Sequence, residues 1–262
     1  MGNEIKKPIV IKIGGSTLGN HDTTLEDLVT LQKRGLRLVV VHGGANRVTE
    51  WLTRQNTPTS FIDGIRVTND QSLEMVAAVL GGLVNTELVA ALNSLGGQVI
   101  GITGVDGNLL ECKITNPLLG LAGKIVRVNV GGIHAMLNAG FMPLIAPPGA
   151  RAPEENIEVP YINVNGDDIA GYLATALNAE KLVFLTDVEG ICDSDGRLLP
   201  RLSTRDVESL MASGVISRGM IPKAEATLIA LKTTPMVAII DGRMSHALLD
   251  TIDGNGGGTL IS

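Results

Sequence analysis

The sequence predicts an α/β protein built on a mainly parallel sheet, and three observations carry that prediction. Ile9, Val10, Ile11 and Ile13 form a β-branched run without polar alternation, the pattern of a strand covered on both faces. The order strand, glycine pair, helix occurs twice in the opening quarter of the chain, at Gly14-Gly15 and again at Gly43-Gly44. Two such units imply right-handed parallel crossovers with both glycine turns at one edge of the sheet. Apolar residues make up 44% of the 262, aromatics only 2%, and glycine counts 32, so the core is expected to be aliphatic and the turns tight.

The same composition bounds the function. The length allows one large α/β domain or two lobes. A formal net charge of -6 with no basic run argues against a nucleic-acid partner, which demands clustered cations against the phosphodiester backbone. Cys112 and Cys192 are too few for a disulfide framework or a cysteine-based zinc site and are expected as buried free thiols. Lys6 and Lys7 precede an apolar stretch that Lys12 breaks, which is no signal peptide. No run is expected to supply the roughly 18 apolar residues that span a bilayer. The expectation is a soluble, cytoplasmic protein with no membrane role.

Lys12 is out of character in the first strand. A buried ammonium needs an anion or loses its charge, because leaving water alone costs roughly several kcal/mol. Gly14 and Gly15 then offer bare backbone at the carboxyl end of the strand, where open sheets bind ligands. The pair reads either as a phosphate-binding turn or only as a tight one. A helix follows over 24–34, with Leu25, Leu28, Val29 and Leu31 on one side and Gly35 as its stop. The strand at 36–41 leads through His42, Gly43 and Gly44 to a helix over 46–52.

The segment 61–68 reads as an extended hairpin arm in which Arg66 either clamps a carboxylate or lies in solvent. Over 72–95, Leu73, Val76, Leu80, Val84, Leu88 and Leu92 recur at helical spacing, with Gly81 and Gly82 as an interruption. So apolar a helix wants partners on more than one side and is the candidate subunit interface. After a strand at 98–102, the spacing of Gly101, Gly104 and Gly107 misses the dinucleotide fingerprint, and no Walker-type pattern occurs. Strands at 126–130 and 142–146 flank a helix containing His134 and Leu137, and Pro147, Pro148 and Gly149 open an irregular segment through Pro160.

The stretch 161–168 reads Tyr-Ile-Asn-Val-Asn-Gly-Asp-Asp and enters a helix over 169–177. Asp167 and Asp168 at a helix start either cap it and complement its dipole or serve a site. A strand at 181–185 ends in a turn, Thr186-Asp187-Val188-Glu189-Gly190, rich in groups that can meet ribose or phosphate. A helix at 205–212 follows. Then Gly219-Met220-Ile221-Pro222-Lys223 introduces a helix over 224–232. Pro222 suits a first helical position, but Lys223 sets a cation where the dipole is already positive. A bound anion removes that conflict, unless the lysine is simply exposed. A strand at 236–240, a helix at 245–249 and a short edge strand at 259–261 finish the chain. His21, His42, His134 and His246 lack metal-ligand spacing and read as structural.

Taken in order, seven stretches resemble the amino-acid kinase family over nearly the whole chain: Lys-Ile-Gly-Gly at 12–15, Val-His-Gly-Gly at 41–44, Gly-Ile-Arg-Val-Thr at 64–68, Asn-Val-Asn-Gly-Asp at 163–167, Leu-Thr-Asp-Val at 185–188, Gly-Met-Ile-Pro-Lys at 219–223 and Ile-Asp-Gly-Arg at 240–243. The resemblance implies a three-layer α/β/α sandwich, with residues 1–178 as an amino-terminal lobe for an acylated amino acid and for dimerisation, and 179–262 as a carboxyl-terminal lobe for ATP. The implied reaction is ATP-dependent phosphorylation of the side-chain carboxylate of N-acetyl-L-glutamate in arginine biosynthesis. Lys12 and Lys223 would then stabilise the transferring phosphoryl group and Asp167 would hold both lysines. Gly43, Gly44, Arg66 and Asn163 would bind the acylated amino acid, with Arg66 and Asn163 on its α-carboxylate. Gly14, Gly15, Asp187, Val188, Glu189, Gly190, Ile191, Cys192, Val215, Ile216 and Ser217 would meet the nucleotide, with Mg2+ held mainly by the phosphates and no protein metal site. A side-chain carboxylate, with a reference pKa near about 4.3, is already ionised at neutral pH, so no general base is required.

Two departures point elsewhere within the family. Ala45 stands where a third glycine is more usual, and Gly166 and Asp168 differ from the common aspartate motif. Both are similar to sister enzymes whose aminoadipate or glutamate is attached to an amino-group carrier protein. The stretches 219–223 and 240–243, with His246-Ala-Leu-Leu, resemble the acetylglutamate enzymes instead. A non-catalytic ligand sensor on the same fold is the reading from another class, and retention of both lysines and Asp167 argues against it. The first strand begins by about Pro8, so the expected assembly is a homodimer without the amino-terminal helix of arginine-inhibited hexamers.

Overall fold

The computed structural model describes residues 6–15 and 23–262; Ser16, Thr17, Leu18 and His21 lie outside them. The elements run β1 (Ile9–Ile13), α1 (Thr24–Lys33), β2 (Leu38–His42), α2 (Ala45–Arg54), β3 (Phe61–Ile62), β4 (Ile65–Arg66), α3 (Asp70–Val76), a π-helical segment (Ala77–Val84), α4 (Asn85–Ser94), β5 (Val99–Gly104), β6 (Leu110–Lys113), β7 (Ala122–Val128), α5 (Gly131–Asn138), β8 (Met142–Arg151) and β9 (Tyr161–Val164). The chain continues through α6 (Gly166–Ala176), β10 (Lys181–Thr186), β11 (Arg201–Leu202), α7 (Thr204–Ala212), α8 (Ile221–Ala230), β12 (Val237–Asp241), α9 (Ala247–Ile252) and β13 (Thr259–Ile261). Eleven strands among the described residues form one sheet in the order β11-β13-β12-β10-β1-β2-β8-β6-β7-β9, with β5 also on β8. The central pairings, β10 and β2 on β1, β12 on β10 and β8 on β2, are all parallel.

Strand alternation divides the interior into two cores, one on each face. Ile9, Ile11 and Ile13 pack with α1, α2, the long helix from α3 to α4, and α9. Val10, Val39, Val41 and Phe184 pack on the other face with α5 to α8. Helices thus cover both faces, which gives the three layers expected, and each core draws on residues from both sides of position 178. Asp27 of α1, 1% exposed, ties α9 to this arrangement by accepting from the Leu249 amide and facing His246 Nδ1 at 2.8 Å.

Several details differ from the sequence reading. Strand β8 does not end at Pro147 but runs to Arg151. Its pairing with β5 shifts register just there, from Thr103↔Ala146 to Gly104↔Gly149, so Pro147 and Pro148 fall where no ladder amide is asked for. Strand β13 is not an edge: it lies between β12 and β11, antiparallel to β12, because β11 is a two-residue strand too short to carry a pattern. The Leu-Glu-Cys-Lys strand β6, which pairs β7 in a hairpin, has no expected counterpart. Finally, Gly81 and Gly82 do not interrupt the long helix; they lie in its π-helical segment, and a Cβ on Gly81 would come 3.0 Å from Thr103. The helix over Asp70–Ser94 is in fact long and apolar enough to cross a membrane by length and composition. Its buried residues, among them Val76, Val79, Leu88 and Leu92, instead pack against the sheet. Cys112 is buried as expected, whereas Cys192 is half-buried.

Candidate active site

The carboxyl ends of β1 and β2 and the first turns of α6 and α8 converge on one side of the sheet. Alternation points Lys12 to the face of Val10 and Phe184, the face that α6 and α8 cover. At the start of α6, Asn165 takes the capping position and accepts from the Asp167 amide at 2.8 Å. The capping role proposed for Asp167 is therefore filled by its neighbour, and its carboxylate is free for other work. Its Oδ1 lies 2.8 Å from Lys12 Nζ and its Oδ2 3.1 Å from Lys223 Nζ. Lys12, Asp167 and Lys223 are 9%, 6% and 6% exposed.

Burial by itself pushes the Asp167 carboxyl up, but Lys12 and Lys223 together overcome it and hold the group down at about 2. Burial lowers the Lys223 ammonium, with Asp167 opposing the fall. The Nζ of Lys223 also sits 5.1 Å from the centre of the Phe184 ring. The dipole conflict at the start of α8 is thus met from inside the protein, by Asp167. Two cations share one anion, so this buried cluster keeps a surplus positive charge that suits an anionic ligand.

Beside it opens a cavity of about 210 Å³ lined by Lys12, Gly15, Gly43, Gly44, Arg66, Asn163 and Asp167 among polar groups, and by Val48, Phe61, Val76, Leu80 and Pro147 among apolar ones. Arg66 is 6% exposed, which removes the surface reading. Its Nη2 donates to Ala45 O at 2.8 Å and Thr49 Oγ1 at 2.6 Å, and its guanidinium stacks 4.7 Å over Phe61. The Nη1 has no partner among the described residues. Asn163 donates through Nδ2 to Thr68 Oγ1 at 2.9 Å, and that hydroxyl donates to Arg66 O at 2.9 Å. The Asn163 amide is thus tied through Thr68 to the Arg66 backbone, while α2 holds the Arg66 guanidinium. Arg66→Lys is expected to raise KM for the carboxylate substrate by roughly ten- to hundredfold with little change in kcat, since a point charge cannot hold the α2 anchors and a carboxylate together. Steady-state kinetics at saturating nucleotide checks this.

The two glycine turns meet each other. A Cβ on Gly15 would lie 2.8 Å from Gly44 Cα, and Gly44 has φ +147°, a conformation open to glycine. The Gly14 amide donates to Leu185 O and the Gly43 amide to Ile13 O, so both are consumed within the sheet. Gly44 keeps its amide without a bond among the described residues. Close by, His42 is fully buried, and burial, helped by the Lys12 charge, pushes its imidazole down to about 4 against a hydrogen bond to the Gly43 carbonyl that raises it. Between pH 6.5 and 4 the unfolded chain takes up a proton that the native chain refuses, so stability falls with acid, by on the order of 3 kcal/mol. Urea unfolding across that range should show the loss in the natural protein and a flatter profile in His42→Asn.

The residues expected to meet the nucleotide divide into two groups. Asp187, Val188, Glu189 and Ser217 are exposed and Cys192 and Val215 half-buried, and Asp187 raises Lys223 electrostatically. Gly190, Ile191 and Ile216 are buried instead. Ile191 and Ile216 belong to the core, and a Cβ on Gly190 would come 2.6 Å from Thr259 Oγ1. Those three shape the turns rather than present side chains. Neither these segments nor Gly14 nor Lys223 lines the 210 Å³ cavity; Lys223 reaches it through Asp167. Sequence reasoning missed Thr68, Asn85, the anchors Ala45 and Thr49, and Asn165 as the cap of α6, a role it had offered to Asp167 and Asp168.

The sequence profile described as "Amino acid kinase family" matches residues 7–241. An acetylglutamate kinase of Dehalococcoides mccartyi is 41% identical over 257 residues, covering 97% of this chain and 94% of that one. Among solved structures, an N-acetylglutamate synthase from Neisseria gonorrhoeae, complexed with coenzyme A and N-acetyl-glutamate, superposes with a TM-score of 0.83 at 26% identity, over 98% of this chain and 59% of its own. A carbamate kinase from Giardia lamblia bound to AMP-PNP has a TM-score of 0.71 at 16% identity, covering 98% of both chains, a likeness of fold.

Proposed function

The chain belongs to the amino acid kinase family, and from that premise we propose that it transfers the γ-phosphoryl group of ATP to the side-chain carboxylate of N-acetyl-L-glutamate. The observation that carries the reading is the buried Lys12–Asp167–Lys223 cluster at the wall of a cavity that also holds Arg66 and Asn163. An acylated amino acid with its α-carboxylate on Arg66 Nη1 and Asn163 turns its side-chain carboxylate toward Lys12. That carboxylate is ionised at neutral pH and attacks without a base. Phosphoryl transfer then needs alignment and positive charge on the equatorial oxygens, and Lys12 and Lys223 supply that charge from two different elements. The Gly44 amide adds a donor at the same turn.

Asp167 is engaged by both ammonium groups, so it orients cations instead of binding a metal. Magnesium would be brought by ATP on its phosphates, where it would supply further positive charge without a protein ligand. The nucleotide lies along Asp187–Glu189, Val215 and Ser217, with Gly15 at its phosphate end. In this reading residues 1–178 form the acyl-amino-acid lobe and 179–262 the nucleotide lobe. The enzyme works in the cytoplasm as a homodimer joined through the Asp70–Ser94 helix, whose outward Ala78, Gly82 and Ala90 are small and uncharged. A mass measurement giving a hexamer would overturn that assembly.

The deciding experiment measures magnesium-dependent ADP release with N-acetylglutamate, N-acetylaminoadipate, free glutamate and free aspartate side by side, trapping acyl phosphate with hydroxylamine. Hydroxamate formed from N-acetylglutamate alone is the expected result. Silence with every free acid would overturn the reading and move the substrate to a carrier-bound acid, or the protein to a sensor.

A further inference from the structure

We propose that His42 is a positioning residue: bridging Gly43 and Asn85, its imidazole turns the peptide between Gly43 and Gly44 so that the Gly44 amide serves the anion cavity. The inference rests on the kinase reading and adds a residue to it. His42 ends β2 and sits beside Ile13 in the register with β1. Its Nδ1 is 2.9 Å from Gly43 O; a carbonyl only accepts, so Nδ1 carries the proton. Its Nε2 is 3.1 Å from Asn85 Nδ2, and that same amide nitrogen reaches Leu144 O at 3.2 Å. A second carbonyl therefore fixes the Asn85 amide with its nitrogen toward the ring, and Nε2 must accept. The two carbonyls at the ends of the chain determine every donor between them.

The consequence for the turn follows from peptide geometry. In a planar trans peptide the C=O and the next N–H point in opposite directions. Pinning Gly43 O toward the imidazole aims the Gly44 N–H away from it, and both glycines line the cavity. Two successive glycines are otherwise free to rotate their shared peptide. A rotated peptide would present the Gly43 carbonyl dipole to the bound carboxylate and phosphoryl oxygens, an arrangement costly where the dielectric is low.

The partner residue is placed with equal care. Asn85 is the first residue of α4, directly after the π-helical segment. Leu80, within that segment, would lie 2.7 Å from a Cβ on Gly44. Gly101 leaves the space that the Asn85 side chain occupies, since a Cβ there would come 1.9 Å from Asn85 Oδ1. The long helix is thus keyed to the glycine turn at two points. Burial and the Lys12 charge keep the ring neutral, which sustains the tautomer through neutral pH.

The test compares His42→Leu with His42→Asn, whose side-chain amide can still donate to Gly43 O. The leucine variant is expected to lose roughly ten- to hundredfold in kcat for N-acetylglutamate phosphorylation, with KM for ATP within about threefold of the natural protein. The asparagine variant is expected to keep kcat within about fivefold. Ring nitrogen NMR shifts of the natural protein at pH 7 should show the neutral Nδ1–H form. Equal losses in both variants, a leucine variant with undiminished kcat, or an Nε2–H or doubly protonated ring would overturn the proposal. Should the leucine variant fail to fold, the ring shifts and the asparagine variant decide it. A natural protein silent with N-acetylglutamate overturns the kinase reading instead, and the ring tautomer, with the Gly44 amide shift in His42→Asn, still judges the positioning.

Discussion

Lys12→Met and Lys223→Met are each expected to lower kcat by about a thousandfold and to leave a folded protein. The size follows from what is removed: a fixed charge at a site where negative charge is redistributed, for which loss of one such group costs roughly a hundred- to thousandfold or more. Folding survives for an electrostatic reason. The natural cluster holds two ammonium groups against one carboxylate, and removing either lysine leaves a neutral pair. Methionine retains the unbranched stem, so Lys223→Met keeps the packing over Phe184. An arginine in either place should not restore turnover, because its planar fork needs space that a lysine 6% or 9% exposed does not have. Single-turnover kinetics with circular dichroism on the same samples checks both halves. Turnover within tenfold of the natural protein would remove that lysine from its role.

What could be foreseen from sequence and what could not separates along the range of the interactions. β1, β2, α6 and β10 were legible because each is announced locally, β1 and β2 by β-branched runs leading to a glycine pair, α6 by the aspartate pair that opens it, and β10 by an apolar run ending in the polar turn at Thr186-Asp187. The dipole conflict at Lys223 was also legible, but its resolution was not, since Asp167 lies 56 residues earlier. Arg66 could equally have been a surface residue on its local sequence. Its burial depends on Ala45 O and Thr49 Oγ1, 21 and 17 residues away in α2. The same applies to His42, whose neighbours in sequence say nothing of Asn85, 43 positions on. The misread proline pair shows the opposite limit. Pro147 and Pro148 carry a strong local signal against a strand, and the register shift opposite Thr103 and Gly104 cancels it. Buried Gly190, Ile191 and Ile216 show that a segment expected to meet a ligand also contains residues that pack into the core or the turn.

Asp167→Asn is the substitution expected to do the most damage, because it changes both stability and turnover. The change is nearly isosteric, yet it leaves two buried ammonium groups facing a neutral amide. Removing one partner of a buried pair costs about 3–5 kcal/mol, against the modest gain from no longer desolvating a carboxylate. The loss should win, since burial already lowers Lys223 and Asp167 is what opposes it. One lysine is then expected to shed its proton near neutral pH, and kcat to fall by a hundredfold or more, on the order of the loss of an orienting charge. The pH sign is definite. In the natural protein the carboxyl is depressed to about 2 from 3.8, so its contribution to stability is present above pH 4 and disappears as the pH falls toward 2. Asp167→Asn should lack that acid limb. A bound polyphosphate restores an anion to the cluster, so MgATP should raise the melting temperature of Asp167→Asn more than that of the natural protein. A combined Lys12→Met, Asp167→Leu and Lys223→Met variant should regain much of the lost stability with no turnover, since it removes all three buried charges together. Equal melting temperatures for Asp167→Asn and the natural protein across pH 5 to 8 would show that the carboxylate does not hold the lysines.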